Sequence, residues 1–193
     1  SITSWIERKL GLKVNMTKTH ITTPNKLKYL GFGFWKDNRD HKYKARPHED
    51  SIQKFKRALK KLCKRKWSID LAYRIKKLNE VIRGWINYFS IGIMKYKMEL
   101  FGRWLRHKVR VVILKKWKKP KTIYKNLMRM NLKFKNRFSE EDIYKVANSR
   151  LGLYRKATGN IVSFILNPRI LSYTDKKKGI TGLVNPLEYY LAK

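Results

Sequence analysis

Apolar residues recur at helical spacing along most of the chain, broken near its start by short alternating runs. Ile2, Trp5, Ile6 and Leu10 share one face and Gly11 follows as a stop, which predicts a short opening helix. Leu12–Val14, Thr19–Thr23 and Lys28–Trp35 then read as β-like segments, with turns at Pro24-Asn25 and Asp37-Asn38. A strand over Tyr43–Arg46 would close a hairpin with the one before it.

Residues 47–119 read as three long amphipathic helices. The first opens at Pro47–Asp50, with acids in the first turn, where the helix dipole favours them. Its Ile52, Phe55, Leu59 and Leu62 fall within an arc of roughly 80° at about 100° per residue. The second, from about Asp70 to Phe89, stacks Leu71, Ile75, Leu78, Ile82, Trp85, Ile86 and Phe89, with Asp70 as its N-cap. The third, from about Met94 to Trp117, aligns Met98, Phe101, Leu105, Val109 and Val112, with Arg103, Arg106 and Arg110 on another face. Three such stripes close into a bundle, and Pro120 breaks the pattern. Residues 120–193 are shorter pieces. Ser139 with Asp142 forms a capping-box pattern for a helix through Asn148, and Asn167-Pro168 and Asn185-Pro186 each place a cap before a first-turn proline. The fold class is therefore mainly α with a small β portion, a three-helix bundle preceded by strands and followed by short helices and loops.

Charge changes what this architecture is for. Forty-eight Lys and Arg against thirteen acids give a formal net charge of +35, and such a surface repels itself without a polyanionic partner. Nucleic acid leads and an anionic membrane follows. A disordered polycation is excluded, because 42% of the chain is hydrophobic and 13% aromatic, enough to build a core. Eight of the thirteen residues from Lys54 to Lys66 are basic, almost all opposite the apolar arc, and almost no acids intervene to neutralise them. Trp67 and Trp117, at helix ends among lysines, are candidates for stacking on bases, whereas Trp85 belongs to the core stripe.

Other chemistry is sparse. Cys63 stands alone and the histidines (His20, His41, His48, His107) are scattered, without C-x-x-C or H-x-x-x-H spacing, so neither a disulfide nor a zinc site is expected. Gly31-Phe32-Gly33 lacks the third glycine of a nucleotide cradle and sits in a strand pattern, where glycines mark bends or close approach. The acids cluster only at Asp37/Asp40, Glu49/Asp50 and Glu140–Asp142, without the carboxylate pair that two-metal chemistry requires. Asn15-Met16-Thr17 fits the glycosylation pattern by chance. No run of about 18 apolar residues and no signal-peptide pattern is present, so an intracellular, soluble chain is expected.

Several segments together carry a family resemblance. Lys26–Phe34 (KLKYLGFGF) resembles the last palm segment of group II intron reverse transcriptases, and Arg46–Phe55 (RPHEDSIQKF) the start of their thumb, the maturase-specific domain X. Arg83–Phe89 (RGWINYF) is similar to that domain's most characteristic stretch, and Trp117–Lys121 (WKKPK) and Ala147–Tyr154 (ANSRLGLY) to its later blocks, all in the family's order. The resemblance implies a palm remnant at 1–46, a thumb/domain X bundle at 47–119 and a basic C-terminal region at 120–193, the end of domain X with a possible role in DNA binding. It implies a maturase that binds its own intron RNA, assists splicing, stays in a mobile ribonucleoprotein active in retrotransposition, and grips a template–primer duplex.

The family's Tyr-x-Asp-Asp polymerase motif and HNH endonuclease are absent, so no catalytic residue carries over. Polymerase activity is assigned to a missing N-terminal reverse-transcriptase part. No cofactor is expected for this chain, with Mg²⁺ serving the parent polymerase and the intron RNA. The expected partners are group II intron RNA, that N-terminal part, and an RNA–DNA template–primer or target DNA, with no membrane. The expected location is the bacterial cytoplasm or an organelle. The candidate RNA contacts are Lys54, Lys56, Arg57, Lys60, Lys61, Lys64, Arg65, Lys66 and Trp67, then Arg74 and Arg83, then Arg103, Arg106 and Arg110, then Trp117, Lys118, Lys119, Lys121 and Arg150. Three alternatives stay open: a ribosomal-type RNA-binding protein, one polypeptide of a split polymerase, and a membrane-surface binder.

Overall fold

A computed structural model describes residues 2–193 except 18, 20, 21, 176 and 178. The chain is mainly α-helical with a small antiparallel sheet. The opening helix α1 (Ile2–Leu10) ends at Gly11, whose φ of 64° is the left-handed stop the sequence calls for. It buries no residue, and its stripe stays open, with Trp5 57% exposed.

A short 3-10 turn at Pro24–Lys26 leads into β1 (Lys28–Tyr29), β2 (Phe32–Lys36) and β3 (Tyr43–Pro47), in the order β1-β2-β3. The expected single strand over Lys28–Trp35 is thus two. Leu30 and Gly31 both take positive φ, 48° and 80°, the geometry of a two-residue hairpin turn whose twist matches the flanking strands. β2 and β3 pair with Phe34 opposite Ala45, as the Tyr43–Arg46 hairpin required. The expected strand at Leu12–Val14 is absent; no partner strand pairs with its backbone among the described residues. The expected strand at 19–23 includes residues 20 and 21, which lie outside the described residues.

The sheet is clamped to the helices at one corner. Gly31 O accepts from His48 N at 2.9 Å and from Ser51 Oγ at 2.9 Å, Ile93 N donates to Ala45 O at 2.9 Å, and Phe32 meets Phe89 edge-on at 4.8 Å. These bonds fix the start of α2 (Glu49–Leu62), whose N-cap His48 accepts from Asp50 N.

α2, α3 (Leu71–Phe89) and α4 (Lys95–Trp117) form the bundle the apolar stripes require. Ile52, Phe55 and Leu59 face Leu78, Ile82 and Ile86 of α3 and Met98, Phe101 and Leu105 of α4 in one buried cluster. Phe55 stacks on Trp85 at 4.5 Å and meets Phe101 edge-on at 5.2 Å, so Trp85 is a core residue as its place on the stripe requires. Asp70 caps α3 by accepting from Ala72 N at 2.8 Å.

The same core continues past Pro120, which does not end helical structure but opens α5 (Pro120–Asn131) from its first position. α6 (Glu140–Asn148) starts at the Ser139 cap and packs Ile143 and Ala147 against α5. Buried Asn131 closes the loop between them, donating to Phe138 O at 2.9 Å and accepting from Phe138 N. α7 (Leu153–Thr158) and α8 (Asn160–Ile165) pack on α4. α9 (Pro168–Leu171) and α10 (Pro186–Leu191) start at the Asn167 and Asn185 caps, and α10 packs against α3 and α4. Buried Asn79 holds the approach to α10, donating to Gly182 O and accepting from Val184 N, both at 2.8 Å.

Candidate nucleic-acid interface

α2 has one dry and one positive face. Lys54, Lys56, Arg57, Lys60 and Lys61 are all exposed opposite its buried Ile52, Phe55 and Leu59. The helix stops at Cys63, whose N–H reaches Leu59 O and Lys61 O, and the chain turns through Lys64, Arg65, Lys66 and Trp67 to the Asp70 cap.

Arg74 builds that turn from beneath. It is 2% exposed, and its guanidinium donates to the carbonyls of Leu62, Lys64 and Trp67. The planar fork suits three backbone acceptors, which a lysine could not meet together. The expectation that Arg74 contacts RNA is corrected on this ground: the residue is buried, its Nη1 and Nη2 donate to backbone inside the protein, and it positions the residues that face out. Beside it, burial pushes the Cys63 thiol up to about 11, so the cysteine is an inert wall.

Two adjoining clefts open at this end of the bundle. One, of about 860 Å³, lies between the Arg65–Leu71 turn, Val112, Lys115 and Lys116 of α4, and Leu153 of α7. The other, of about 400 Å³, is lined by Lys60, Cys63, Lys64, Lys108, Val111 and Tyr154, and Arg65 and Lys66 line both. The ammonium of Lys108 sits 4.9 Å from the centre of the Tyr154 ring. Below, buried His107 meets Tyr154 edge-on at 4.2 Å, and its ring reaches no closer polar neighbour than the Ala157 backbone. Burial, Lys108 and Arg110 push its pKa down, so the imidazole is neutral.

The charge around these clefts is almost unneutralised. Of Lys60, Lys64, Arg65, Lys66, Lys108, Lys115 and Lys116, only Lys116 is in an ion pair among the described residues, at 3.2 Å from Asp70. Elsewhere the few acids are matched locally: Asp37 and Asp40 with Lys44, Glu80 with Lys77, and Glu141 with Lys145. The Asp37 and Asp40 carboxyls are accordingly held below their usual range by hydrogen bonds from Lys44.

The structure therefore brings Lys60, Lys64, Arg65, Lys66 and Trp67 together and adds Lys108, Lys115, Lys116 and Tyr154, which the sequence reading missed. The spacing of Lys108, Val112, Lys115 and Lys116 at i, i+4, i+7 and i+8 on α4 was the available signal.

The expected outward face of Arg103, Arg106 and Arg110 is also corrected. Arg110 donates to Leu166 O at 3.0 Å and Ser163 O at 3.2 Å, fastening the end of α8 to α4. Arg106 is half-buried beside Pro186 of α10, and burial, then Arg103, pulls its pKa down. Arg103 alone of the three is exposed, paired with Glu99 at 3.3 Å. Arg83 is exposed on α3 beside the Tyr189 ring, and Arg150 is exposed before α7. Trp117 is half-buried against the core, while Lys118, Lys119 and Lys121 are exposed where α4 meets α5.

No group of three His, Cys, Asp or Glu side chains able to hold a metal ion occurs among the described residues; His20 lies outside them. No helix is long and apolar enough to cross a membrane among those residues. Residues 52–131, which span nearly all of α2 through α5, match a family model described as the group II intron, maturase-specific domain. No curated protein matches the chain.

Proposed function

We propose that the chain, whose residues 52–131 match the group II intron maturase-specific domain, binds group II intron RNA through the basic clefts at the α2–α3 turn and assists its folding for splicing. The supporting observation is the cluster of cations from α2, the turn and α4 that, Lys116 apart, have no acidic partner among the described residues. Phosphates supply the missing counter-charge, and aromatic Trp67 and Tyr154 stand among the cations. The exposed lysines along α2 extend this surface, and the same face would grip a template–primer duplex beside a polymerase part. Mg²⁺ serves the folding of the intron RNA and the chemistry of that part, and the complex works in the bacterial cytoplasm or an organelle.

Filter binding with a group II intron RNA tests this reading. If six to ten phosphates are met, affinity falls about 10³–10⁵-fold between roughly 50 and 200 mM salt. A Lys64→Glu/Arg65→Glu/Lys66→Glu variant should lose most of that affinity while keeping its helical circular dichroism. Unchanged affinity, or equal competition by a ribosomal RNA fragment at matched salt, would contradict it. The second outcome would favour a general structural RNA-binding protein.

A further inference from the structure

Resting on that RNA-binding reading, we propose that the larger cleft holds an unpaired nucleotide, its base against Trp67 and the apolar floor and its phosphates on the cationic rim. The cleft's volume of about 860 Å³ falls in the range of about 300–1,000 Å³ in which proteins hold small organic ligands. Val112 is buried, and Leu71 and Leu153 half-buried, at its base, whereas Arg65, Lys66 and Lys115 are exposed around it. A double helix presents phosphates and sugars to such a rim and has no use for an apolar floor. A base turned out of a helix presents a flat π-face to the floor and leaves its phosphates outside.

Trp67 is the platform. It is 43% exposed, and no aromatic ring or cation stacks on it among the described residues. The other tryptophans of the bundle are engaged: Trp85 stacks on Phe55 and packs tilted against Phe89, Trp104 lies under Lys108, and Trp117 packs on the core. Arg74 holds the Trp67 carbonyl at 2.6 Å, so the backbone that carries the indole is fixed at the mouth of the cleft. The one acid at the lip, Asp70, accepts from Ala72 N and from Lys116, and its carboxyl is held below the usual range by those bonds. Its charge is already matched and does not oppose a phosphate on the far rim.

Fluorescence anisotropy with a labelled ten-nucleotide oligoadenylate and a ten-base-pair RNA duplex, at fixed salt, tests the proposal. Removing an aromatic platform costs about 5- to 150-fold in single-strand affinity. Trp67→Ala should therefore weaken the oligoadenylate at least about fivefold, leave the duplex within about twofold, and be largely rescued by Trp67→Phe. Equal weakening of both probes, or of neither, overturns it. A second measurement uses the unaltered protein, with a uridine decamer carrying one 4-thiouridine. Photo-adducts should map to Lys66, Trp67 or Leu153, and adducts confined to other segments overturn the proposal. If charge reversal at 64–66 abolishes intron binding but Trp67→Ala spares the oligoadenylate, the nucleotide site fails and the RNA-binding reading stands. If the unaltered protein binds neither probe nor the intron, both fail.

Discussion

Arg74 gives the sharpest test of how the site is built. Truncation as Arg74→Met keeps a buried apolar stem and removes the donors to the Leu62, Lys64 and Trp67 carbonyls. A hydrogen bond from a charged donor is worth about 1.5–3 kcal/mol. Two offsets apply: water can reach carbonyls in the exposed turn, and the buried guanidinium no longer has to be desolvated. The expected net loss is about 2–4 kcal/mol, read in urea as a midpoint lowered by roughly 1–2 M at an m-value near 2 kcal/mol/M. Amide exchange at Lys66 and Trp67 should quicken, because the turn loses its tether. Arg74→Lys should fall between, since one ammonium cannot meet three acceptors in fork geometry. A loss below about 0.5 kcal/mol for Arg74→Met, with unaltered exchange at Trp67, would refute the positioning role.

Two further outcomes are expected. His107 is neutral and buried, with its pKa held below the usual value. The unfolded chain therefore takes up the proton first, and stability is full above about pH 6.5 and falls as pH drops below it. In His107→Phe, thermal unfolding measured from pH 7 to 5 should show a flatter dependence than in the unaltered protein; a parallel dependence would assign the acid sensitivity elsewhere. Gly182→Ala should lower the urea midpoint more than Gly152→Ala. A Cβ at 182 would collide with the Ser172 carbonyl and disturb the Asn79 clasp, whereas at 152 it meets open space.

Local signals made the scaffold legible. The apolar arc of α2, the caps at Asp70, Ser139, Asn167 and Asn185, and the stripe holding Trp85 all depend on residues within a turn or two of each other. The Leu30-Gly31 turn was hidden because apolar, strand-forming residues flank it on both sides, and a positive φ at a leucine has no local mark. Pro120 looked like a break because α4 stops just before it, at Trp117, while the proline itself opens the next helix. The arginines of α4 misled for a different reason. Their spacing gives their face but not what covers it, and α8 and α10 come from segments more than 50 positions later. The clefts likewise join the α2–α3 turn to Lys116 across 46 positions, a proximity only the packed bundle creates.

Reactivity of individual lysines reports whether the clefts meet RNA phosphate. Acetylation of the protein with and without bound group II intron RNA, read by mass spectrometry, reports which ammonium groups meet phosphate. Protection is expected at Lys60, Lys64, Lys66, Lys108 and Lys115, with Lys77 and Lys145, each already paired to a glutamate, modified equally in both states. Full modification of the cleft lysines in the RNA complex, with protection elsewhere, would contradict it.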